Sequence, residues 1–199
     1  MEKKFELTEN YVVNELETKL YQIKCIKTFK YAKEGELGGY IEKEENLSQE
    51  GDAWVSDNAQ VYGNAEVYGN AWVYGDARVY GNARVFGNAR VYGDALVAGD
   101  AWVYGNAWVY GDARVYGNAC LKSNADHCGF DCFGSSNRHT HAYLTGDNTV
   151  EITCGCFRGS IEEFEKKVKN THAGTVYENQ YNAIINVIKI KFGLDETSK

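Results

Sequence analysis

Residues 79–108 read VYGNARVFGNARVYGDALVAGDAWVYGNAW, and one six-residue phrase accounts for all of them. Each unit holds Val, an aromatic residue, Gly, Asn or Asp, Ala and one variable residue. Valines stand at 55, 61, 67, 73, 79, 85, 91, 97, 103, 109 and 115, and Leu121 continues the series. Alanine fills the fifth place of every hexad from Ala59 to Ala125, and Asn or Asp fills the fourth. A period of six fits neither a helix, at 3.6, nor a simple strand, at 2. It fits a short strand followed by a corner. Ala and Val then point to one side and the variable and aromatic residues to the other, because side chains alternate along a strand. The apolar side goes inward. Gly-Asn and Gly-Asp turn the corner, since both residues tolerate left-handed backbone angles. Strand and corner in alternation wind into a coil, and coils stack as a parallel β-helix.

The motif over Val55–Asp126 resembles the hexapeptide-repeat family. The resemblance implies a left-handed triangular prism with three hexads per coil. Four coils at ~4.8 Å each stand about 19 Å tall. Ile41 and Leu47, six apart, begin an irregular fifth coil. The fold expected is mainly β: a left-handed parallel β-helix of about four to five coils over residues 51–126, an N-terminal β cap over 1–50 and a small C-terminal α+β module over 127–199.

In the cap, Leu20–Ile26 reads as a strand and Gly35–Gly39 as a turn leading into the prism. Its physical task is to cover the apolar interior and open strand edge of the first rung. In the module, Thr140–Leu144 and Thr149–Cys154 flank Gly146-Asp-Asn148, a hairpin signal. Ser160-Ile-Glu-Glu163 is a capping box that starts a helix at Ile161, running to about Lys169. A second helix, about Tyr177–Phe192, gathers Tyr181, Ile184, Ile185 and Ile188 on one face. The tail Asp195–Lys199 is expected to fray. The whole pattern, with "LYQIKCIKTF" before the hexads and "ITCGCFRGSIEEFEKKVKNTH" after them, resembles uncharacterised hexapeptide-repeat proteins of phages and prophages. That resemblance implies a phage or prophage setting and carries no activity with it.

Charge narrows the partners. The net charge is −7, from 28 acidic and 21 basic residues, which opposes binding to a nucleic-acid backbone. No apolar run approaches a membrane span, and Met1-Glu2-Lys3-Lys4 is not followed by a signal-peptide core. Free thiols in a cytoplasmic setting are the expectation for the six Cys.

Stacking decides the candidate site. Positions 18 apart align on successive coils, so Trp54, Trp72, Arg90 and Trp108 form one outward column, beside Tyr74, Tyr92 and Tyr110. Arg90 between two Trp suits cation–π contact. Aromatic ladders also simply favour a sheet, but three Trp in one column make a large apolar patch, the mark of a contact surface. These seven residues are the candidate binding face of a non-catalytic binding or assembly protein. The partner is a host protein or a small ligand such as a nucleotide, and the resemblance implies a homo-oligomer, with three-fold association through a prism face. Acyl transfer, the best-known activity on this scaffold, is the alternative enzymatic reading. It uses a His at a subunit boundary and a projecting loop, and the hexads hold neither. A virion component is a further alternative. Cys128, Cys132, Cys154 and Cys156 raise zinc as a competing reading, with Cys154 and Cys156 aimed to one side of a strand. Cys-x-Cys is not the usual knuckle spacing, and His139-Thr-His141 fits a surface strand. No catalytic residue, metal or cofactor is therefore assigned.

Overall fold

A computed structural model describes residues 3–194 and divides the chain into two compact units, Met1–Asn124 and Ala125–Lys199. The expected fraying at Asp195–Lys199 lies outside the described residues.

The first unit opens with β1 (Phe5–Val13), β2 (Lys19–Cys25) and β3 (Leu37–Ile41). Strands β1 and β2 pair antiparallel, with a register shift between Leu7 and Tyr11, and β2 pairs antiparallel with β3. Two-residue strands then recur every six residues, from β4 (Trp54–Val55), β5 (Gln60–Val61) and β6 (Glu66–Val67) to β15 (Cys120–Leu121). They sort into three parallel sheets, and partners lie 18 residues apart: Trp54 beside Trp72, Gln60 beside Arg78 and Glu66 beside Arg84. Strand N–H groups donate to the next coil, as Trp54 N to Ala71 O and Trp72 N to Ala89 O, both 3.0 Å. Eighteen residues per coil follows directly from three hexads.

The inward positions form the core. Each Val of the series from Val55 to Val115, Leu121 and the alanines between them are buried. At the corners, amides stack coil on coil. Asn64 Nδ2 donates to Asn82 Oδ1 at 3.1 Å, and Asn82 Nδ2 to Asp100 Oδ1 at 2.9 Å.

The expected irregular coil is present: β3 pairs parallel with β5, Ile41 against Val61, and Leu47 bridges to Val67. Partners here are 20 residues apart instead of 18, because Leu47 and Val55 stand eight positions apart where later hexads step by six. The first rung's carbonyls find side-chain donors. Buried Asn46 Nδ2 donates to Gly63 O at 3.1 Å and Ala65 O at 2.8 Å. Lys4 Nζ donates to Ala53 O at 2.7 Å and Gly51 O at 3.3 Å. Only Gly35 behaves as the expected turn glycine. Gly38 and Gly39 lie inside β3, and a Cβ on Gly38 would sit 2.6 Å from Ile23 Cγ1 and Val55 O. Close approach, not a turn, requires glycine there.

The second unit is an antiparallel meander of β16 (His127–Phe133), β17 (Arg138–Leu144), β18 (Val150–Cys154) and β19 (Phe157–Gly159), followed by α1 (Ile161–His172) and α2 (Val176–Phe192). The hairpin and both helices stand where the sequence places them, with α1 three residues longer. Ser160 and Glu163 make the capping box: Glu163 N donates to Ser160 Oγ at 3.3 Å, and Ser160 N to Glu163 Oε2 at 2.8 Å. One sheet face, through Ala142, Ile152 and Cys154, packs on Ile161, Phe164, Val168, Tyr181, Ile184, Ile185 and Ile188. Cys154-Gly-Cys156 is not one strand. Gly155 has φ +59° and turns the chain, so Cys154 is buried and Cys156 is exposed.

Candidate functional site

The column drawn from the sequence exists in register: Trp54, Trp72, Arg90 and Trp108 are successive partners in one parallel sheet. Its members do not share one environment. Trp54 is fully buried, with its ring 6.4 Å from Phe5 and 5.3 Å from Phe29, both edge-on. The N-terminal segment covers it, so Trp54 is a core residue and not part of an accessible face. Trp72 is also partly covered. Tyr31 stacks on it at 4.9 Å, Tyr74 lies at 4.3 Å, and its indole N–H donates to Ser56 Oγ at 3.0 Å. The cap therefore takes up the lower half of the column.

Above that point the face is open. The Arg90 guanidinium lies 4.9 Å from the Trp108 ring and 6.0 Å from that of Trp72. Tyr74, Tyr92 and Tyr110 stack beside it at 4.8 and 5.5 Å. Trp108 is 39% exposed and Tyr110 53%. Burial pushes the Tyr74 phenol up, with Tyr92 adding to the effect and Arg90 opposing it. The ladder thus presents stacked phenol rings and one cation, each held by its neighbours. Such a surface supplies stacking platforms, cation–π contact and hydrogen-bond donors at low entropic cost.

The next face repeats the device. Arg84 lies 5.5 Å from the Trp102 ring and 3.5 Å from Glu66, and Tyr68, Phe86 and Tyr104 stack at 4.8 and 5.0 Å. Trp102 is exposed, more so than Trp108. It was not singled out from the sequence, although its place in the same coil as Trp108, far along the array from the cap, was a readable signal.

The histidines stand apart, in the second unit. His127 Nδ1 and His141 Nε2 are 3.0 Å apart and both residues are buried. His139 Nδ1 makes a short contact with Asp131 Oδ1, and His172 stacks on Tyr181 at 5.4 Å. Burial pushes Cys128 up to about 11, and buried Cys154 accepts from Thr140 Oγ1 at 3.3 Å. Among the described residues, no three His, Cys, Asp or Glu side chains are grouped to hold a metal ion. No helix there is long and apolar enough to cross a membrane.

Three stretches of the repeat, residues 59–75, 77–91 and 89–105, match the family model described as YdcK β-solenoid repeat. This is a repeat β-helix protein. The match falls within the solenoid and includes Trp72, Arg90, Tyr74 and Tyr92. A search of curated proteins finds no match to the chain.

Proposed function

We propose that this solenoid is a non-catalytic binding or assembly factor, acting through the open part of its arginine and aromatic face. The contact residues are Arg90, Tyr92, Trp108 and Tyr110, with Trp72 buttressing Arg90. One observation carries the reading: Trp108 and Tyr110 stand exposed, two residues apart, on a backbone that is hydrogen-bonded to the coil below. Rigid aromatic and Arg side chains supply most of the energy of a contact surface. The resemblance to phage and prophage proteins of the left-handed hexapeptide class supports an accessory role in the host cytoplasm. The partner is a host protein or a small planar anion such as a nucleotide. Acyl transfer has less support, since all four histidines lie outside the solenoid, where His127 pairs with His141, His139 with Asp131, and His172 stacks on Tyr181.

A pull-down from host lysate, comparing wild type with Trp108→Ala/Tyr110→Ala, tests this. A partner retained by wild type and lost by the folded variant supports it. Equal capture by both proteins removes the face from the mechanism. Mass spectrometry of purified particles separates this role from that of a virion component.

A further inference from the structure

The two borders of the Trp and Tyr face differ in charge. Asn70, Asn88 and Asn106 fill the corner before Trp72, Arg90 and Trp108, and their amides form a ladder. Asn70 Nδ2 donates to Asn88 Oδ1 at 3.1 Å, and Asn88 Nδ2 to Asn106 Oδ1 at 3.3 Å. Asp76, Asp94 and Asp112 fill the corner after Tyr74, Tyr92 and Tyr110, and all three are exposed. Asn58 Nδ2 donates to Asp76 Oδ1 at 3.2 Å, and the ladder stops there, because a carboxylate has no N–H to pass on. Among the described residues, the carboxylates of Asp94 and Asp112 have no hydrogen-bond or ion-pair partner. Like charges repeated on neighbouring strands, ~4.8 Å apart, are destabilising. The third corner has one aspartate, Asp100, in a row with Asn64, Asn82 and Asn118. Three consecutive carboxylates therefore stand where asparagine is the more stable choice, and they border the open rings.

We propose that this face takes an arginine-bearing segment of a protein partner, a guanidinium lying on the Trp108 and Tyr110 rings with Asp94 and Asp112 as its counter-charges. The proposal rests on the reading of this face as a contact surface and makes its partner a cationic one. The chain itself shows that its rings accept the group: Arg90 lies 4.9 Å from Trp108, and Arg84 5.5 Å from Trp102. A guanidinium suits both halves of the site. Its plane stacks on a ring while its N–H edge bonds a carboxylate, a pairing that a lysine ammonium does not reproduce. An anion is disfavoured, since a phosphate on these rings stands beside two unpaired carboxylates with the single charge of Arg90 to oppose them. Other cations of the chain do not cancel the row. Arg78 pairs with Glu15 at 3.4 Å, and Asp94 is followed on the adjoining face by Leu96. Asp112 has Arg114 two positions on, so Asp94 carries more of the attraction.

Fluorescence anisotropy with the full chain tests this, using a labelled short Arg-Gly repeat, the matched Lys-Gly repeat, and ATP measured by calorimetry. At about 50 mM salt, wild type is expected to bind the arginine peptide with a dissociation constant on the order of 100 μM, and more weakly at about 300 mM. The lysine peptide is expected to bind several-fold more weakly, and ATP not to bind. Trp108→Ala keeps the net charge and is expected to lose about fivefold. Asp94→Asn/Asp112→Asn extends an amide ladder, so it is expected to melt no lower than wild type by circular dichroism and to lose at least as much affinity. Wild type that ignores the arginine peptide overturns the proposal. Equal binding by Trp108→Ala also overturns it, since the attraction is then that of any acidic chain for a polycation, as does equal binding by the aspartate variant. A lysine peptide bound as tightly as the arginine peptide overturns the choice of guanidinium. ATP bound by wild type and lost in Trp108→Ala overturns the cationic partner and leaves the contact face standing. A host partner lost from Trp108→Ala/Tyr110→Ala but kept by Asp94→Asn/Asp112→Asn does the same.

Discussion

Arg90 sits between Trp72 and Trp108, nearer the exposed ring at 4.9 Å than the covered one at 6.0 Å. Its column therefore changes character at this residue, from packed below to accessible above. Trp54→Ala is expected to lower the unfolding free energy by about 3–5 kcal/mol, because the ring is enclosed by Phe5 and Phe29. Trp108→Ala is expected to cost about 1 kcal/mol, the scale of one exposed cation–π contact. Urea denaturation followed by circular dichroism compares them, and equal losses would contradict the division.

Corner glycines differ in what they face. Gly93 has φ +70°, and a Cβ there would sit 3.0 Å from Gly111 N on the next coil. Gly111 has φ +61° and an open surrounding. The left-handed angle alone costs a non-glycine residue about 1–2 kcal/mol. Gly111→Ala is expected to lose that much, and Gly93→Ala more, since two backbones must also move apart. Thermal unfolding of the two variants gives the order.

Lys4 links the cap to pH. Burial lowers its amine from 10.5 to about 8, with Asp52 opposing the shift. Between those values the unfolded chain holds a proton on Lys4 that the folded chain has released, so stability rises with pH across that window. Lys4→Met has no such proton to release. The stability difference, wild type minus Lys4→Met, is expected to grow in favour of wild type from pH 8 to pH 10. A flat difference in denaturation midpoints would contradict the burial of a charged amine.

Thiol reactivity maps the second unit. Cys132 and Cys156 are exposed, whereas Cys154 is buried and Cys128 is pushed up to about 11. The thiolate is the reactive form. A disulfide reagent at pH 8 is expected to label Cys132 and Cys156 first, and Cys128 and Cys154 only on unfolding. Peptide mapping of the labelled protein identifies the order.

The array was legible because every place in a hexad has one physical task. Val and Ala fill the interior, Gly and Asn turn, and the spacing alone puts Trp72, Arg90 and Trp108 in line. The helices of the second unit were legible through the Ser160 cap and the spacing of Tyr181, Ile184, Ile185 and Ile188. Strand β1 was not, since its register breaks between Leu7 and Tyr11 and no regular alternation survives. The burial of Trp54 was hidden for a different reason. Phe5 and Phe29 are distant in sequence, and nothing about a hexad says whether another segment covers its outward residue. Gly38 and Cys154-Gly155-Cys156 misled in opposite ways: a glycine needed for close packing looked like a turn, and a turn looked like a strand.

The 20-residue first coil gives the molecule something the repeats lack, a fixed origin. One hexad can stand in for another, so a stack of them has no intrinsic way to count, and sliding by a whole storey would satisfy the same interior. Ile41 pairs with Val61 and Leu47 with Val67 at an offset of 20, unlike the 18 of every later coil, and the Lys4 and Asn46 donors hold the carbonyls of that first rung. Height thereby becomes an inheritable dimension: a lineage can lengthen or shorten this protein by multiples of 18 residues and leave its foundation untouched.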